Sequence, residues 1–434
     1  VQSGDEGYVL DPMVDDQIQG PITEPMEMHG DGMYDDGMSG QPMYGACGDP
    51  AMGHPWQGGE YWFNPRYGMP PFMCRFPHWL QFTRGRMWFR GEYLAWWMSG
   101  SDTPPLVTSS PNGTAIGDAG VLYQSTTSIL SGDEKMNAKS QSGGRYQLGY
   151  WLDDMQCFGW ELNYFDVGES KDTFATDTNS TAIFARPFTD ASTGAQASIV
   201  LSYPDDRQGS VQVESTAEFR SFEFLLRRAV VQRCAHRIDV VFGYRYGRLD
   251  DNLTISNYTQ ELSGQELTFN AEDRFKTRNR FNGAEIGVIM NKRKGRWGME
   301  LLAKLALGRT SSRVEINGAT TITDGGTVIT DEEGGLLALS SNSGVYKTKE
   351  LAVMPEIGAN IMWWLTPRAS FTFGYTLVYL SHVARPGDQI DMMVNPDLIP
   401  PAVEPLSGVG LPDFQFRTTD FWAHGMNFGF DFRF

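Results

Sequence analysis

The chain has little of what most familiar classes need. Only four cysteines and six histidines occur in 434 residues, so neither a disulfide-dense scaffold nor a multi-histidine metal enzyme is indicated. Lys and Arg number 35 against 53 Asp and Glu, a formal charge of −18, which argues against nucleic acid as a partner. No apolar run approaches the ~18–20 residues of a transmembrane helix; the longest, around 357–365, is half that. No HExxH, GxSxG or phosphate-loop motif is present. No basic segment followed by an apolar one opens the chain, which reads as an exported protein whose signal has gone. What is abundant is glycine, at 48 residues, and aromatics, at 13%. In so polar a chain these aromatics need a home other than a helical core.

Charge sets the first boundary. Residues 1–60 hold twelve acids and neither Lys nor Arg, with many Gly, Pro and Met and no periodicity. This composition predicts an arm without a core of its own over 1–85. Its stretch 55–82 is rich in Trp, Tyr, Phe and Pro and reads as a strip that lies against the base of the rest of the chain or a neighbouring subunit. Met26, Met28, His29, Met33, Met38 and Met43 have the spacing of a soft Cu(I) site, and Asp31, Asp35 and Asp36 suggest Ca²⁺, but no complete calcium loop is present. Methionine as an adaptable apolar contact is the simpler reading, so no metal or cofactor is expected.

From residue 86 onward the pattern is alternation of period 2, the signature of strands. Ten such segments occur, at 87–97, 145–153, 157–168, 214–228, 236–250, 277–290, 296–309, 351–364, 368–382 and 418–434. One face is aromatic and aliphatic. The other repeats glycine with one or two charged residues per strand, which suits a crowded barrel interior rather than a wetted sandwich face. The connections alternate short (153–156, 229–235, 291–295, 365–367) and long (99–142, 169–213, 251–275, 310–350, 383–417). Together these predict an all-β fold: a ten-stranded antiparallel transmembrane β-barrel over 86–434, with both termini periplasmic and the long loops outside. The terminal Phe434 after Phe428, Phe430 and Phe432 resembles an outer-membrane assembly signal.

The residues WFRGEYLAWWMSG (88–100), TRNRFNGAEIG (277–287), HVARPGDQID (382–391) and DFWAHGMNFGFDFRF (420–434) resemble the beta-barrel porin family of type seven. The resemblance covers roughly 86–434 and implies an outer-membrane barrel, with little said about what passes through it.

By parity the inward charges are Arg90, Glu92, Arg145, Glu161, Glu223, Arg227, Asp239, Arg245, Glu285, Glu300, Lys304, Glu356, Asp431 and Arg433. Buried together, they must pair; a buried ion-pair network is expected, and a cation-selective ring is the alternative. His382 near Asp388 and Asp391 is the only arrangement resembling a rim protease, and it reads as an ordinary loop histidine. In an oxidising compartment Cys47–Cys74 and Cys157–Cys234 are the expected disulfides, with pairing of the arm to the turns as the alternative. Ten strands ~4.8 Å apart and tilted ~40° give a diameter of roughly 20 Å, and inward side chains leave about 10 Å. The functional expectation is therefore a non-enzymatic, narrow or plugged outer-membrane barrel with a structural or assembly role. Its partners would be outer-membrane lipid and, through the arm, a second copy or another envelope protein. The competing expectation is a narrow, weakly cation-selective porin for ions or very small solutes.

Overall fold

A computed structural model describes residues 86–233, 235–263, 266–402 and 408–434. The acidic arm lies outside the described residues, and with it the aromatic strip, the Met and His cluster, Cys47 and Cys74. Cys234 also lies outside them.

Among the described residues ten long strands form the fold: β1 (Met87–Met98), β2 (Ser140–Trp151), β3 (Phe158–Asp177), β4 (Arg207–Gln232), β5 (His236–Glu261), β6 (Leu267–Lys294), β7 (Trp297–Asp324), β8 (Gly344–Trp364), β9 (Ala369–Val383) and β10 (Thr419–Arg433). Each pairs antiparallel with its neighbours in sequence, and β10 pairs back onto β1. The sheet is thus a closed ring without an edge, the condition for a sheet to cross a bilayer. No helix among the described residues is long and apolar enough to cross a membrane.

Alternation gives each strand a buried and an exposed parity. Outward side chains include Tyr93, Phe224, Phe242, Ile286, Leu305, Ile357 and Phe430, all exposed. They form the apolar band, bordered by Tyr146, Tyr164, Tyr244, Trp297, Trp363 and Trp422, and this arrangement suits hydrocarbon flanked by interfacial aromatics. The short connections are tight. At 152–157, Asp153 accepts from the backbone N–H groups of Cys157 at 2.9 Å and Phe158 at 2.7 Å.

The strands run well past the band at the long-loop end, farther than the alternation of outward aromatics indicates. The segment 251–275 is mostly strand, and β3, β4 and β7 likewise continue through residues expected to be loop. Polarity inverts there. On β5 Leu253 and Ile255 point inward and are buried, while Asn252, Thr254 and Ser256 face out. Above the hydrocarbon the outer face meets water, so the aromatic-out rule stops although the strand does not. Within the long connection 310–350, residues 319–324 and 327–333 pair as a hairpin.

Segments of three long connections, 107–109, 128–131, 184–190, 196–202 and 393–394, build a second small sheet. Its buried face (Leu106, Val107, Phe184, Phe188, Leu201) joins Val213, Ile255, Phe275 and Ile316 of the barrel extension and Leu336, Leu337 and Leu339 of the 334–343 loop in one apolar cluster. The long-loop end is therefore capped by its own connections.

Cys157 is a free, exposed thiol, and its expected partner Cys234 lies outside the described residues. The Cys157 sulfur lies 3.7 Å from the Met155 carbonyl and 3.8 Å from Gln232 Oε1.

Candidate functional site: the layered lumen

Register brings the inward charges together. Cross-strand partners include Arg90 with Asp431, Glu92 with Arg145, Glu223 with Arg245 and Lys304 with Glu356. Opposite charges directly across a ladder attract, and here they are also buried together. Arg90 Nη1 lies 2.6 Å from Glu300 Oε1 and Nη2 3.3 Å from Asp431. Arg145 reaches Glu356 at 3.3 Å and Glu92 at 3.8 Å. Arg245 contacts Glu285 at 2.9 Å, Glu223 at 3.2 Å and Glu356 at 2.8 Å, and Lys304 sits 2.6 Å from Glu223 and 3.4 Å from Glu356. Arg227 bridges Glu161 at 2.8 Å and Asp239 at 2.7 Å. All of these are buried; Arg433, 3.3 Å from Asp431, is partly exposed at the strand end.

One member was not among the sequence candidates. Arg237 binds Asp239 at 2.9 Å and lies 4.2 Å over the Trp151 ring. With it, eight carboxylates face seven cations, each acid in an ion pair. The layer is nearly neutral rather than an acidic ring. Oxygens of Glu223, Glu285 and Glu356 come within 4.8 Å of one another, the spacing of a metal-binding triad. Arg245 and Lys304 already occupy the positions a cation would take.

Aromatics close the layer on the short-turn side. Trp88, Trp151 and Trp364 are buried inward. Trp88 and Trp151 have ring centroids 4.8 Å apart, with Arg227 about 5.5 Å over each. Arg293 and Arg433 lie 4.2 and 4.6 Å over Trp364. These cation–π contacts are stronger when desolvated. Gly149 makes room for the first indole: a Cβ there would lie 1.9 Å from a Trp88 ring carbon.

On the long-loop side of the charges the lumen turns apolar. Leu94, Trp96, Phe165, Phe219, Leu249, Phe281, Met354, Val378, Leu380 and Phe421 form one buried cluster. Phe165, Phe219 and Phe421 stack edge-on, with centroids 5.5 and 4.8 Å apart.

Beyond it, inward polar side chains clasp the cap. Asp273 Oδ1 accepts from the N–H groups of Leu336, Leu337 and Ala338 at 3.0, 3.0 and 2.8 Å, and Oδ2 pairs with buried Arg186 at 2.6 Å. Gly335 is required beside it, since an added Cβ would stand 2.3 Å from Asp273 Oδ1. Asn279 donates to the Ala384 carbonyl and accepts from its N–H, both at 2.8 Å. Asp251 pairs with Arg385 at 2.7 Å, and Arg385 also donates to the Ser99 carbonyl at 3.0 Å.

Burial pushes the Asp251 carboxyl up to about 6, against the opposing pull of Arg385. In the unfolded chain it titrates near 3.8. Between these values the folded chain holds a proton the unfolded chain has lost, so stability falls as pH rises through this range. The penalty, on the order of 3 kcal/mol, is complete above about pH 6. Urea unfolding in detergent is expected to show wild type losing more stability from pH 4 to 7 than Asp251→Asn. Parallel pH profiles would remove Asp251 from this account.

The rim arrangement is not assembled as a catalytic site. His382 is exposed and makes no hydrogen bond to Asp388 or Asp391 among the described residues; the nearby Asp391 instead accepts from Met393 N at 3.0 Å.

Comparison with solved structures gives distant likenesses. The outer membrane protease OmpT from Escherichia coli matches at 9% identity and a TM-score of 0.37, over 80% of this chain and 97% of that one. A FadL homologue from Pseudomonas aeruginosa matches at 7% identity and 0.20, over 80% and 90%. The toluene transporter TodX of P. putida matches at 8% and 0.16, over 82% and 92%. Likenesses this distant carry nothing about activity. No curated protein matches the chain. The model of the family described as Putative beta barrel porin-7 (BBP7) matches residues 88–434, the whole of the ten-stranded ring but for its first residue. This chain belongs to that family of outer-membrane β-barrels.

Proposed function

We propose that this chain is a non-enzymatic outer-membrane barrel with a closed lumen, serving a structural or assembly role in the envelope. In this reading the short turns and both ends of the strand ring face the periplasm and the long loops face outside. Outer-membrane lipid is the partner around the ring, and the arm at 1–85 engages a second copy or another envelope protein. The observation that carries the reading is the stack within the lumen: three tryptophans, a compensated charge layer, an apolar aromatic layer and the clasped cap. A compensated layer offers no net field to select an ion, and an apolar layer offers no hydration along the path. The second reading is a narrow, weakly cation-selective pore, favoured by the family's porin description and the Glu223, Glu285 and Glu356 trio. Planar-bilayer recording of the reconstituted full chain separates the two. Silence is expected, and a stable conductance that prefers cations would establish the pore.

A further inference from the structure

On one wall the outer face passes from apolar to cationic within one or two outward positions of each strand. Toward the long-loop end, Phe222 is followed outward by Arg220 on β4, Tyr246 by Arg248 on β5, Leu307 by Arg309 on β7 and Leu351 by Lys349 on β8. On β6, Ala284 gives way through Asn282 to Arg280. The rest of the ring makes the same step without a cation: to Asp420 after Trp422 on β10, to Gly144 after Tyr146 on β2, and on β3 to Asp166 after Tyr164, which faces Arg220 across the ladder and supplies it with a further acid.

Register sharpens the contrast. Arg220 faces Arg248 directly across the ladder, and Arg248 faces Arg280. Like charges directly opposite destabilise a sheet, so this alignment calls for an anion. Part of the compensation is internal: Arg220 pairs with Glu218, and Asp250 takes Arg248 at 2.5 Å and Arg278 at 2.7 Å. Arg280, Arg309 and Lys349 are exposed and form no ion pair among the described residues. Just beyond this step the outer face holds a cleft of about 620 Å³, lined among others by Glu214, Asp250, Arg274, Lys276 and Arg278. Apolar wall, cationic step and polar cleft thus follow one another along the strands.

We propose that this wall seats a phosphate-bearing glycolipid of the leaflet at the long-loop end. Its acyl chains lie on the apolar band, its phosphates among Arg220, Arg248, Arg280, Arg309 and Lys349, and its sugars in the cleft. Arginine forks suit phosphate oxygens, and desolvation beside hydrocarbon strengthens the pairing. Which leaflet this is rests on the orientation proposed above; binding itself does not.

The test uses the purified full chain in detergent, with diphosphoryl lipid A, dephosphorylated lipid A, dioleoylphosphatidylglycerol and inorganic phosphate as probes, read by native mass spectrometry. Diphosphoryl lipid A is expected to bind at least tenfold tighter than every other probe. Arg280→Glu with Arg309→Glu and Lys349→Glu should lower that affinity tenfold or more. Lys292→Glu with Lys294→Glu, at the other edge of the band, should leave it unchanged. Heat-modifiable gel mobility reports folding, and the corresponding Gln variants replace the Glu variants should those not fold. Equal binding of both lipid A forms, equal binding of phosphatidylglycerol or free phosphate, or a triple variant that binds like wild type would each overturn the proposal. Ion conductance by the protein would contradict the closed lumen and leave this result untouched.

Discussion

Asp273→Ala is expected to destabilise the protein by about 3–5 kcal/mol and to expose the 334–343 segment to proteases, the first of the two largest effects. The carboxylate is fully buried, and one oxygen serves three backbone N–H groups while the other serves Arg186. Alanine strands a buried guanidinium and three donors at once, and each buried orphan costs its full desolvation. Asp273→Asn retains an acceptor for the loop but not the charge for Arg186, so its loss should fall between alanine and wild type. Urea unfolding in detergent and limited proteolysis together read the outcome. An alanine variant with wild-type stability and an intact 334–343 segment would show that the cap is held by its apolar face alone.

The second large effect falls in the charge layer. Arg245→Met is expected to cost about 3–5 kcal/mol, because breaking a buried pair leaves an uncompensated charge. Arg245 is fully buried and touches Glu223, Glu285 and Glu356. Without it these carboxylates share Lys304 and Arg145, both already engaged elsewhere in the layer. Adding Glu285→Gln removes the carboxylate whose ion pair is to Arg245 and should restore a large part of the loss. The double variant, measured beside the single by the same unfolding, discriminates a charge network from simple packing. If the double variant were no more stable than the single one, the network would not be the source of the effect.

Much of this was legible in the sequence because period 2 is so strict here. Parity alone places Arg90, Glu161, Glu223, Arg245, Glu285 and Glu356 on one face, and the alternation of short and long connections orders the strands. The same parity carries Trp88 inward from Arg90, Trp151 from Arg145 and Trp364 from Glu356. An aromatic at a strand end ordinarily faces the membrane interface, so position alone does not mark these indoles as inward. Arg237, two residues before Asp239, was legible by the same rule. The strand extensions were missed because the outer face changes solvent at Arg248 and Arg280, and the outward aromatics that mark the strand stop there. Asp251 and Asp273 sit in those extensions and read as loop residues, while Asn279 lies in the expected strand 277–290 on the inward parity of Glu285. Their partners Arg385, Arg186 and Ala384 lie in other connections, and no local spacing announces such pairs. The thiol of Cys157, expected in a disulfide from compartment and count, lies against Met155 and Gln232.

The central claim is that the lumen is closed by its own side chains, and single-channel recording in planar bilayers tests it most directly. The full chain, inserted at verified density in symmetric potassium chloride and then under a potassium chloride gradient that reads ion preference, is predicted to give no stable conductance, and Glu161→Gln and Glu285→Gln are predicted to be equally silent. A reproducible conductance in the wild type, cation-preferring and losing that preference in Glu285→Gln, would contradict the closed barrel.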